Sequence, residues 1–408
     1  MHRPLSTKGS TEARTIEEPG AGELQIAVKS TGICGSDVSY YQKFANGDLC
    51  ACAPLSLGHE SSGVVVAVGP QVAVGSFAVG DRVALEVGVP CGQCAICRRG
   101  RYNLCRKMRF RSSAKSVPHF QGTLQERINH PAVWCHKLPD HVSFDAAALL
   151  EPLSVAIHAV NRASPTPGST ALVIGAGTVG LLTAAMARQS GCTSVTISDV
   201  DAGRVEYALK KGFATHGFVV PHPSSSRGSS SSNSNSNSSS ASSSLYSNSG
   251  TSTPLLLESG AVTPSSIFSN SIHGQLEGAK GLAADILSLT NPPSSFQSSG
   301  DDEDEGVDVT FECTGKEVCM HTSLYATRPG GKVIMVGMGT PIQTLPMSVA
   351  HLREVDILGI FRGGGLPSLD DMVTHRFKGL GATKHAFDIA SRTVDDNGNL
   401  VLKVVIEA

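Results

Sequence analysis

The sequence predicts an α/β protein of two domains, one β-rich and metal-binding, the other a doubly wound parallel sheet that holds a nucleotide. Three observations predict it. A short apolar strand at 171–174 runs directly into Gly175-Ala176-Gly177-Thr178-Val179-Gly180 and then into a helical pattern. Further strand patterns follow at 194–199, 217–220, 307–312 and 331–337, with helical stretches among them. Ahead of these, cysteine, histidine and acid gather around glycine-flanked turns, which is the composition of metal sites.

Size and charge set the frame for both domains. With 408 residues, a formal net charge of −2 and 40% hydrophobic residues, the chain can bury two cores and has no charge bias toward nucleic acid. No apolar run approaches the length of a membrane span, and Met1-His2-Arg3-Pro4-Leu5-Ser6 lacks the apolar core of a secretory signal. The expectation is a soluble, cytoplasmic protein with no nucleic-acid or membrane partner. Its 11 cysteines suit a reducing compartment if some of them hold metal.

The first metal site centres on Gly58-His59-Glu60, which leads into the β-branched run Val64-Val65-Val66. Alone, that triplet also describes a core histidine beside a surface acid. Cys34, set in Gly32-Ile33-Cys34-Gly35-Ser36-Asp37, and the downstream Glu151-Pro152 favour metal. A catalytic zinc takes three ligands of the Cys, His and Asp/Glu type and keeps one position open. Cys34, His59 and a carboxylate meet that description, with Asp37 placed to orient the imidazole as a hydrogen-bond acceptor.

The second site is closed. Cys91-Gly92-Gln93-Cys94-Ala95-Ile96-Cys97, followed after seven residues by Cys105, puts four thiolates on one loop. Four sulfurs leave no position for substrate, so the pattern predicts a structural zinc rather than a catalytic one. A redox disulfide cluster is the competing reading, disfavoured in a reducing compartment.

In the second domain, glycines at 175, 177 and 180 let backbone N–H groups and a helix N-terminus approach a pyrophosphate. Asp199 ends the next strand about 20 residues on, where the ribose-binding acid belongs. Its carboxylate accepts from ribose hydroxyls and repels a 2′-phosphate, so it favours NAD over NADP. Arg204 reads equally as an adenine neighbour or a solvated helix residue. Between about 221 and 306 the chain becomes Ser/Asn-rich and ends in the run Asp301-Asp302-Glu303-Asp304-Glu305. Such a segment cannot repay the entropy of ordering and reads as largely disordered. Within it, 281–287 is expected to be a displaced helix of the sheet.

These motifs, in this order, make the chain resemble the medium-chain zinc dehydrogenases, and within them the polyol branch of sorbitol, xylitol and L-arabinitol dehydrogenases. Residues 30–37, 129–137, 150–155 and 353–357 carry the likeness. The resemblance implies a GroES-like catalytic domain at 1–155, a Rossmann domain at 156–362 and a return to the catalytic domain at 363–408. It implies catalytic zinc on Cys34, His59 and Glu60, with Glu151 on the metal or its water, and structural zinc on Cys91, Cys94, Cys97 and Cys105. It further implies Ser36 in proton relay, Tyr40, Phe110 and Arg362 at the polyol, and Val179, Asp199, Arg204 and Met338 at NAD beside Gly175, Gly177 and Gly180. The activity implied is oxidation of a secondary hydroxyl, sorbitol to fructose or xylitol to xylulose, by a homotetramer. L-arabinitol 4-oxidation and a catalytically impaired, zinc-stabilised variant are the alternatives.

Three departures from the family pattern bear on that activity. The relatives often carry histidine where this chain has Ser39, which would route the proton through water. Residues 1–13 are polar where relatives open with a strand. After Ile360-Phe361-Arg362 the chain turns at once to Gly363-Gly364-Gly365, where relatives continue into a helix.

Overall fold

The computed structural model describes residues 12–221, 271–290, 306–360 and 372–408. Two large sheets organise them, and the chain visits the first sheet at both of its ends. That seven-stranded sheet runs Val373–Lys378, Lys403–Glu407, Glu23–Gly32, Glu60–Val68, Arg82–Leu85 and Cys135–Lys137, with Arg127–Pro131 also paired on Glu23–Gly32. Strand Glu23–Gly32 is its hub because Leu24, Ile26 and Val28 alternate into the core, each at most 1% exposed. Gly32 pairs with Glu60 on one side and with Val405 on the other. This register gathers the first metal motif and the C-terminal strand at one point.

The second sheet has six parallel strands in the order His216–Val219, Ser194–Asp199, Thr170–Ile174, Val307–Glu312, Thr327–Met335 and Asp356–Gly359. Helices cover both faces, so Ala171, Leu172 and Val173 are all completely buried rather than alternating. The strand order reverses beside Thr170–Ile174, which opens a crevice at the carboxyl ends of the strands.

Two expectations change in detail. The helix expected at 281–287 spans Ile272–Thr290, well inside the segment read as disordered. It forms because Leu282, Ala283 and Ile286 bury themselves against Leu172, Ile174, Val307 and Ala326, which fills one face of the sheet. The strand expected at 331–337 is Thr327–Met335, because Thr327 already pairs with Val307 before the Pro329-Gly330 bend. The polar N-terminal residues 1–11 and the glycine run Gly363-Gly364-Gly365 lie outside the described residues.

Candidate metal and cofactor site

Three donors converge where the first sheet receives its C-terminal strand. Cys34 is the N-cap of helix Gly35–Lys43, His59 precedes strand Glu60–Val68, and Glu60 opens it. Their ligand atoms all lie within 4.8 Å of one another, with His59 and Glu60 buried. Asp37, from the first turn of the helix, organises the group. Its Oδ1 lies 3.1 Å from His59 Nδ1 and accepts from Gly58 N at 3.0 Å and Ser112 Oγ at 2.6 Å, while Oδ2 accepts from Cys34 N at 3.1 Å. With Nδ1 held there, Nε2 is the nitrogen left for a metal.

Buried charges of both signs balance one another around these donors. Burial alone would push the Asp37 carboxyl up, but His59, Ser112 and the Gly58 N–H together hold it below the ordinary range. Burial likewise opposes charge on His59, yet Asp37 and the Cys34 sulfur raise its pKa well above the usual imidazole value. Glu60 Oε2 is buried, and the Lys403 ammonium forms an ion pair with it. Lys403 also donates to the Ile33 carbonyl at 3.1 Å. Burial works against its charge, and Glu60, Cys34 and Glu151 overcome that and raise its pKa. Gly32 leaves the space for this pair, since a Cβ there would overlap Glu60 Oε2 and the lysine chain. A thiol, an imidazole and a carboxylate within 4.8 Å of one another fit zinc.

Around this group, Ser36 sits half-buried in the same helical turn. Tyr40 is buried, and its hydroxyl accepts from Ala114 N at 3.2 Å. The Phe110 ring lies 5.3 Å from the His59 ring, centroid to centroid. Glu151, in the first turn of helix Leu150–Ala163, stands outside the three-donor group, although it acts on the Lys403 charge. Arg362 lies outside the described residues. Lys403 and Ser112 were not anticipated. The first had a signal, a lone lysine in the apolar strand Val401-Leu402-Lys403-Val404-Val405; Ser112 had none, because its left-handed backbone (φ 61°) is invisible in sequence.

The four-cysteine loop closes as a separate cluster. Cys94 and Cys97 sulfurs are 3.5 Å apart, Cys105 and Cys91 3.6 Å, and Cys91 and Cys97 4.0 Å, all as free thiols. Backbone N–H groups of Gln93 and Cys94 lower Cys91 to about 6. Desolvation and the Cys94 thiol push Cys97 up to about 12. Four thiolates this close would repel one another, so they can coexist only around a cation.

At the crevice, the Gly175 loop bends with φ 102°, and Gly180 packs on the Gly175 carbonyl so closely that a Cβ would overlap it. Gly177 caps helix Thr178–Gln189, whose first turn carries Val179. Asp199 reaches this loop, accepting from Ala176 N at 2.6 Å and Asp201 N at 2.9 Å. Arg204 does not read as a solvated helix residue. Its guanidinium donates to Val401 O at 3.0 Å, its Nε is buried without a partner, and it lies over Gly177. Thr178 Oγ1 donates to Leu402 O at 3.1 Å. Met338, 68% exposed, lies on the loop after strand Thr327–Met335. The open, glycine-lined helix terminus fits a pyrophosphate.

Comparison with known proteins agrees with both halves. Residues 20–140 match the alcohol dehydrogenase GroES-like domain, and residues 273–378 match the zinc-binding dehydrogenase domain. The chain is 33% identical over 370 residues to a sorbitol dehydrogenase of Arabidopsis thaliana, covering 88% of this chain and 82% of the relative. It is 34% identical to D-xylulose reductase A of Aspergillus oryzae, covering 84% and 76% respectively. A crystal structure of an Escherichia coli oxidoreductase/dehydrogenase of unknown specificity superposes with a TM-score of 0.70 at 26% identity, covering 97% of this chain and 94% of that one. With its three-donor site, four-cysteine loop and fingerprint crevice, the chain belongs to the polyol branch of the medium-chain zinc-dependent dehydrogenases.

Proposed function

We propose that the protein oxidises a secondary hydroxyl of a polyol, sorbitol or xylitol, with NAD as hydride acceptor. The observation that carries this reading is the group of Cys34, His59 and Glu60, with ligand atoms within 4.8 Å of one another. Zinc held there supplies the Lewis acidity that favours loss of the hydroxyl proton, and NAD takes the hydride. The chain's own part is to hold and orient. Asp37 fixes the imidazole, Lys403 holds Glu60 in place, and Phe110 presents an apolar ring beside His59. Ser36, in the turn after Cys34, is placed to pass the proton outward, with water beyond it because Ser39 offers no imidazole. The Asp199 carboxylate at the fingerprint favours the ribose of NAD over a 2′-phosphate.

The reading extends to assembly and place. Among the described residues, strand Asp356–Gly359 is a sheet edge, flanked by a groove that includes Met347, Ala350 and Val355, and by Leu352 at 80% exposure. Such an edge supports self-association toward a homotetramer. Among the described residues no helix is long and apolar enough to cross a membrane, and a cytoplasmic location is part of the proposal. The glycine run Gly363-Gly364-Gly365 in the sequence favours a second reading, a protein that binds zinc and NAD with impaired turnover.

A polyol panel decides among these. Purified protein is expected to reduce NAD with sorbitol, xylitol or L-arabinitol and to lose that activity with a zinc chelator. Activity with ethanol and none with polyols would overturn the substrate assignment. Two bound zincs and bound NAD without turnover would select the second reading.

A further inference from the structure

Helix Glu317–Ala326 grips one residue of a neighbouring loop at both of its backbone polar groups. Glu317 Oε2 accepts the N–H of Thr344 at 2.7 Å, and His321 Nε2 donates to the Thr344 carbonyl at 2.6 Å. Residues four apart share one helix face, so the two side chains act as a pair. The imidazole is completely buried. With the proton on Nε2, Nδ1 is an acceptor, and it meets no partner in the protein. An aliphatic side chain would fill this space without stranding a nitrogen, so packing does not account for the histidine.

Thr344 belongs to the loop that leaves strand Thr327–Met335, and that loop is pinned again nearby. Gln343 Nε2 donates to Gly315 O at 3.1 Å. The backbone around Gly337 and Gly339 lies so close on Gly315 that a Cβ at either would overlap it. Gly315 N in turn donates to the buried Glu312 carboxylate at 2.9 Å. This loop, the turn after Val307–Glu312 and the fingerprint loop all leave the carboxyl ends of the sheet around the crevice. The fingerprint serves the pyrophosphate and Asp199 the adenosine ribose, so the loop after Thr327–Met335 is left to face the other half of a dinucleotide.

We propose that His321 is a positioning residue for the nicotinamide half of the cofactor: through Thr344 it sets the loop 337–346 against the crevice. The inference rests on the reading that this chain binds NAD.

Calorimetric titration of the zinc-loaded protein with NAD and with ADP-ribose, which lacks nicotinamide, tests it. His321→Leu removes the Nε2 donor; NAD affinity is expected to fall about tenfold while ADP-ribose affinity changes less than about twofold. His321→Gln, whose amide can donate to the same carbonyl, is expected to recover most of the loss. Glu317→Ala releases the other end of Thr344 from a half-exposed position, and gives the same selective loss should the buried leucine prevent folding. Parallel losses for both ligands, or an unchanged affinity for NAD, overturn the proposal. If the unmodified protein binds neither ligand, the cofactor reading itself falls and takes this inference with it.

Discussion

Asp37 is completely buried and takes hydrogen bonds from three donors besides lying against His59 Nδ1. An asparagine has the same shape, but its NH2 must face groups that now donate, leaving buried donors unmatched at about 1–3 kcal/mol. Asp37→Asn is therefore expected to weaken zinc binding at Cys34, His59 and Glu60 by about 10–100-fold. Elemental analysis after dialysis should then find the four-cysteine zinc retained and the other lost; retention of both would show that Asp37 does not orient the ligand. The three donors were legible because each sits in a short motif whose neighbours are also diagnostic: glycine before His59, and Asp37 three residues after Cys34. Lys403 was not legible in its role, because that role depends on a contact 370 residues away in sequence, made only when Gly32 pairs with Val405. Arg204 shows the same limit, since its partner is a backbone carbonyl at 401.

Among the elements, strand and helix identities in the second sheet followed from local pattern, while boundaries followed from tertiary contacts. The helix Ile272–Thr290 is the clearest case. Flanked by low-complexity sequence, it starts after Ser271, whose hydroxyl accepts from Gly274 N at 3.1 Å, and burial of Leu282, Ala283 and Ile286 supplies what a single cap does not. Strand ends are set by side-chain clips that pattern cannot reveal. Asp308 accepts from Thr170 N at 2.7 Å and Thr170 Oγ1 at 2.8 Å, and from Arg328 Nε at 2.8 Å, so it ties three adjacent strands at their start. Burial pushes its carboxyl up, but the Thr170 and Arg328 contacts prevail and lower its pKa. A carboxyl depressed in the folded state contributes stability above its unfolded pKa of about 3.9, and loses it as pH falls through the folded value. Asp308→Asn is expected to cost about 1–3 kcal/mol at neutral pH, with the difference from the unmodified protein shrinking below about pH 4. Urea unfolding at several pH values measures this, and a difference independent of pH would mean the contacts do not depend on charge.

Across the whole molecule, three consecutive residues near the C-terminus join the two sites. Val401 O takes Arg204 and Leu402 O takes Thr178, both at the fingerprint crevice, while Lys403 reaches back to Glu60 and Ile33 at the metal donors. The strand Lys403–Glu407 is locked between Glu23–Gly32 and Val373–Lys378, so this segment cannot shift at one end without straining the other. Zinc bound by Glu60 would change the balance of charge that Lys403 feels, and the segment would transmit the adjustment to the carbonyls that hold Arg204 and Thr178. Occupancy of one site should therefore favour the other. Removing the catalytic zinc is expected to weaken NAD binding by about five- to tenfold, a coupling of ordinary size. Linkage makes the prediction self-checking, because NAD must then tighten zinc binding at equilibrium by the same factor. Thr178→Val and Arg204→Gln together cut the two ties to the segment and should bring the coupling close to unity while leaving zinc content unchanged. Equal NAD affinity with and without zinc in the unmodified protein would mean that residues 401–403 join the two sites only in space.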